Sequence, residues 1–108
     1  MDLETVRSNV KFAMGTYDPK RVDACNDCNN RLLVTLDLHF LQKSAAKRCV
    51  QNAIGAVPRG NGFTLKVIHG HNHGTILREM ILNELKNERI IKRQLADYDE
   101  GTTLIEVA

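Results

Sequence analysis

The chain has no tryptophan, only two tyrosines and three phenylalanines in 108 residues. So sparse an aromatic set argues against a surface that stacks many bases in a row. No apolar run approaches the roughly 20 residues that a membrane span requires. The N-terminal segment MDLETVRSNV is acidic and mixed, unlike a signal peptide. Cysteines number three, an odd count without secretory context, so reduced thiols and a cytoplasmic location are expected. A strong excess of either charge is also lacking. A net charge of +2 and a pI near 8.5 permit contact with nucleic acid without arguing for it, because dedicated binding domains commonly exceed a pI of about 9.

What is present suits one domain with one core: 43% hydrophobic residues suffice to fold a chain of this length. Residues 1–30 read as an extension. Leu3, Val6, Val10 and Met14 recur at helical spacing, and the polar stretch GTYDPKRVDACNDCNNR then reads as a connector. Residues 31–108 carry stronger signals. The nearly continuous apolar run Leu32–Phe40 predicts a strand covered on both faces. Ala45, Ala46, Cys49, Val50, Ala53, Ile54 and Val57 form one helical stripe between residues 42 and 57, which makes Cys49 a core residue. Residues 63–69 predict a second strand, and 75–87 a second helix with Leu77, Ile81 and Leu85 on one face. Residues 90–98 and 102–107 predict two more strands joined as a hairpin. The order β-α-β-α-β-β predicts an α/β fold, a two-layer sandwich on a four-stranded mixed sheet whose last strand is antiparallel.

In such units, sites form where parallel strands end and lead into helices. The first such end carries Asp37 and His39, two residues apart and therefore on one face of a strand. A carboxylate can fix the tautomer of an adjacent imidazole and prepare it for general acid–base work. The competing reading is a capping aspartate beside a surface histidine. The second end carries IHGHNHGT, residues 68–75, with three of the four histidines. A glycine-bearing turn that opens a helix lets backbone N–H groups converge on an anion, and Arg78 could hold a phosphate bidentately. The competing reading is a tight turn with Thr75 as helix cap. His71 and His73 could also join Cys25 and Cys28 in a tetrahedral zinc site, a weak alternative because the pairs lie far apart in sequence and CNDC has no second knuckle.

Together, LDLH before a helix and IHG with its turn and Leu77-Arg78 before another resemble the Smr (small MutS-related) domain over about residues 32–108. The resemblance implies a nucleic-acid-binding domain with endonuclease activity, RNA favoured and DNA nicking second. It implies catalytic roles for Asp37 and His39 and phosphate-contacting roles for His69, Gly70, Asn72, Gly74 and Arg78. No cofactor is firmly implied; on DNA, where water must attack, Asp37 becomes a candidate ligand for a divalent ion. The family usually has glycine at the positions of Phe40 and Asn72, and Asn is the non-glycine residue that best tolerates positive φ. DEGTTLIEV resembles the family's closing hairpin. His71 and His73 fill variable positions and are expected to face solvent.

Lys43, Lys47, Arg48, Lys66, Arg78, Arg89, Lys92 and Arg93 could line a path for the nucleic-acid strand, or simply form a solvated face. The alternative to a nuclease is a non-catalytic module that binds RNA, DNA or the ribosome, with residues 1–30 docking on a partner protein.

Overall fold

Alternation along the strands decides which face of the sheet is covered. Val22 and Ala24, Val34 and Leu36, Phe63, Leu65 and Val67, and Ile105 and Val107 are buried in register with one another, and together with Thr103 they form one apolar face. Their sequence neighbours Leu33, Thr35, Lys66, Leu104 and Glu106 are only partly buried, so the opposite face is open. The run Leu32–Phe40 therefore belongs to a strand covered on one face, not two. Leu33 is the apolar residue that gave it a two-sided appearance.

The computed structural model describes residues 2–14, 19–60, 62–70, 75–96 and 99–108. The elements are α1 (Leu3–Met14), a 3-10 turn (Pro19–Arg21), β1 (Val22–Asn26), β2 (Leu32–Asp37), α2 (Lys43–Ala56), β3 (Phe63–Ile68), α3 (Thr75–Glu79), β4 (Ile90–Ala96) and β5 (Asp99–Val107). A π turn, Met80–Glu84, continues α3. The sheet order is β1-β2-β3-β5-β4; β2 and β3 run parallel and the other neighbours antiparallel.

The sheet thus has five strands rather than the expected four. The extra strand, β1, lies inside the segment read as a connector. It is a short edge strand with only two buried positions, Val22 and Ala24, among exposed Asp23, Cys25 and Asn26, so its alternation is too brief to stand out. The hairpin behind it is closed by Asp27, whose Oδ1 accepts from the backbone N–H groups of Asn29 and Arg31, each at 2.9 Å. Asn30 supplies the positive φ of +58°.

The helices cover the apolar face. Val6 and Val10 of α1, Ala46, Cys49, Val50, Ala53 and Ile54 of α2, and Leu77, Met80 and Ile81 of α3 and its π turn join one core with the strands. α1 packs against α2 and β1. The C-terminal end of α2 is held by buried Arg89, whose Nη1 donates to the Ile54 and Val57 carbonyls at 2.6 Å each and whose Nε and Nη2 donate to the Ala108 main-chain oxygen. Burial, with neighbouring Arg59 as a lesser cause, pushes the Arg89 pKa down from its ordinary value. No helix among the described residues is long and apolar enough to cross a membrane.

Candidate active site

Parallel pairing of β2 and β3 sets Asp37 level with Ile68, so both strands deliver their carboxyl ends to one edge of the sheet. The ladder runs one step further, with Leu38 N–H donating to Ile68 O at 2.8 Å. Leu38 is fully buried. The chain then turns sharply, and Leu41 N–H donates back to Leu38 O at 3.1 Å. His39 and Phe40 form the corner of this turn. Phe40 has φ +67°, at the third turn position, where type II turns favour glycine. A left-handed conformation costs a side-chain-bearing residue roughly 1–2 kcal/mol.

The turn brings His39 back onto Asp37. Asp37 Oδ1 accepts from the His39 backbone N–H at 3.3 Å and pairs with the His39 ring through Nδ1. With Nδ1 committed to the carboxylate, Nε2 is the ring nitrogen left to meet a substrate. The two side chains are 34% and 40% exposed, enough for a solute to reach them. The Phe40 ring meets the imidazole edge to face, with centroids 4.7 Å apart.

The neighbouring strand supplies the floor. His69 is buried; its Nδ1 faces Gly70 O at 3.2 Å and its Nε2 faces Thr103 Oγ1 at 2.9 Å. A carbonyl oxygen can only accept, so Nδ1 donates to Gly70 O. Both ring nitrogens are thus spent within the protein, and His69 shapes the site from below. The N–H groups of His69 and Gly70 both donate to Gly101 O, at 2.9 and 3.0 Å, which ties the end of β3 to β5. Gly70 has φ +88°, and a Cβ there would lie 3.5 Å from His39 Cβ. The two motifs therefore touch.

Arg21 is a site residue that sequence reasoning missed. Its Nη1 donates to the Asp37 and His39 carbonyls at 3.1 and 2.9 Å, clamping the turn from the segment before β1. Both partners are main-chain atoms, which leave no trace in a sequence pattern.

Arg78 lies in α3, partly buried, and makes no hydrogen bond or ion pair with the described residues. His71, Asn72, His73 and Gly74 lie outside the described residues. Cys25 and Cys28 are exposed free thiols at the β1–β2 hairpin, the end of the sheet opposite Gly70. They are not brought to Asp37 and His39, and among the described residues no three His, Cys, Asp or Glu side chains converge as a metal site. Three basic residues expected along a nucleic-acid path are otherwise engaged. Arg89 is the buried cap of α2, Arg93 donates to Ile81 O at 2.9 Å, and Lys43 pairs with Glu84 at 2.5 Å.

Residues 36–106 match the family model described as the Smr domain. The chain belongs to the Smr domain family. Neither curated proteins nor solved structures gave a significant match. The match takes in Asp37, His39, His69, Gly70 and Arg78, and membership in the family suggests nucleic-acid binding. The turn geometry fixes the backbone of the residue after D-x-H. That position needs positive φ, and in this Smr domain Phe40 takes it up under strain.

Proposed function

We propose that the chain binds nucleic acid at the carboxyl ends of β2 and β3 and cleaves a phosphodiester there, with RNA as the first substrate class and DNA nicking as the second. The observation that carries this reading is the Asp37–His39 pair, accessible to solvent and seated against Gly70. On RNA, His39 Nε2 takes the proton of the 2′-hydroxyl, and that oxygen attacks the adjacent phosphorus. The bond from phosphorus to the 5′-oxygen breaks, and the leaving oxygen takes a proton from water. The products are a 2′,3′-cyclic phosphate and a 5′-hydroxyl end. Asp37 holds the ring orientation and stabilises the imidazolium as it forms. Arg78, with Asn72 and Gly74 from the segment after Gly70, holds the phosphate. On DNA, water must attack instead, and Asp37 is a candidate ligand for a divalent ion. A cytoplasmic setting fits exposed Cys25 and Cys28 as free thiols.

A second reading, a binding module without cleavage, draws its support from Phe40 at the position where the family carries glycine. The test uses end-labelled single-stranded RNA and the all-deoxy strand of the same sequence, each with and without EDTA. Wild type cleaves the RNA, and His39→Ala cuts it about 10²- to 10⁴-fold more slowly. Binding that weakens with salt, without products, would favour the second reading; no binding at all would refute both.

A further inference from the structure

Phe40 is 75% exposed although it lies two residues after buried Leu38, and it sits beside the His39 imidazole. Its backbone adopts φ +67°, a conformation that glycine would take without strain. Neither burial nor backbone preference therefore accounts for a large aromatic side chain here. Strain of this kind persists where the position serves something other than folding. We propose that Phe40 is a stacking platform for one unpaired nucleobase, so that the site takes single-stranded rather than duplex nucleic acid. This rests on the reading of the Asp37–His39 edge as a nucleic-acid site.

The geometry suits the role. Ring centroids 4.7 Å apart at an interplanar angle of 66° set the imidazole directly beside the Phe40 ring. A base lying on the exposed ring carries its own sugar and phosphate within reach of His39. Stacking on an aromatic face is sequence-tolerant, because every base has a π-face. One such platform is also consistent with a chain so poor in aromatics, since it orders a single nucleotide at the point of chemistry.

The test is binding of a fluorescein-labelled single-stranded oligonucleotide and of the matching duplex, by anisotropy, to wild type, Phe40→Ala, Phe40→Gly and Phe40→Trp. Wild type and F40W bind the single strand; F40A and F40G bind it about 5- to 150-fold more weakly. Duplex affinity is the same in all four. The natural chain has no tryptophan, so the F40W indole is a unique reporter, and its fluorescence is quenched when the single strand stacks on it. F40G melts at or above the wild-type temperature, because glycine takes φ +67° without strain, which separates lost stacking from lost folding. Equal single-strand affinity in wild type, F40A and F40G would overturn the stacking proposal while leaving the nucleic-acid reading intact. Absence of binding by the wild type would overturn both.

Discussion

At the scale of single residues, the site depends on two backbone conformations that L side chains rarely adopt. Phe40 carries one at a cost, and Gly70 carries the other without one. Gly70→Ala would force a side chain into φ +88°, with its Cβ in ordinary contact with that of His39. We expect a loss of about 1–2 kcal/mol in unfolding free energy, measured by urea denaturation. Unchanged stability would show that the turn relaxes freely, and the contact between the two motifs would then lose its importance. Asp37 and His39 were legible in the sequence as a pair at a strand end, although the strand stops at Asp37 and it is the turn, not strand alternation, that brings His39 onto the carboxylate. Arg21 and Gly101 were not legible. Arg21 donates to the carbonyls of Asp37 and His39, and the Gly101 carbonyl accepts from His69 and Gly70. Main-chain contacts of this kind are independent of the identity of the partner residue.

At the scale of elements, each segment is held by local chemistry that can be tested separately. α1 begins at Asp2, whose Oδ1 accepts from Thr5 N–H at 2.7 Å. That hydrogen bond is the largest cause of an Asp2 pKa below the usual carboxylate value of 3.8. The folded-state pKa is depressed, so the stabilising contribution is fully present above the unfolded value and is lost as pH falls through the folded one. Asp2→Asn should therefore show a smaller loss of stability than wild type between pH 5 and pH 2, read from thermal melts at each pH. Parallel pH profiles would remove the role of Asp2 as a cap. Elements with long periodic stretches were readable: the stripe from Ala46 to Ile54 in α2 is buried as expected. The end of α3 was not. The spacing of Leu77, Ile81 and Leu85 predicts a helix to residue 87, yet a π turn closes with Leu85 N–H on Met80 O at 2.7 Å and the helix ends at Glu84. All three leucine and isoleucine side chains are still buried. A widened turn reaches the same packing, so periodicity alone does not distinguish the two.

At the scale of the whole molecule, the question is whether residues 1–30 belong to the same folding unit as the Smr match at 36–106. Val6, Val10, Val22 and Ala24 are buried in one core with β2, β3 and α2, which predicts a single cooperative transition. Val10→Ala should lower that transition by about 2 kcal/mol, seen equally by far-ultraviolet circular dichroism and by exchange of β3 amides. Two separate transitions, with β3 unaffected, would make the N-terminal segment an independent appendage. A shared unit also has a functional consequence, because Arg21 clamps the Asp37–His39 turn from within that segment.

The account turns on Asp37 and His39 acting as one device. The direct measurement is a double-mutant cycle on the rate of single-stranded RNA cleavage, with wild type, Asp37→Ala, His39→Ala and the double variant at one pH and salt concentration. If the carboxylate works only through the imidazole, the double variant is no slower than His39→Ala. Losses that multiply independently, or one rate shared by all four proteins, would contradict it.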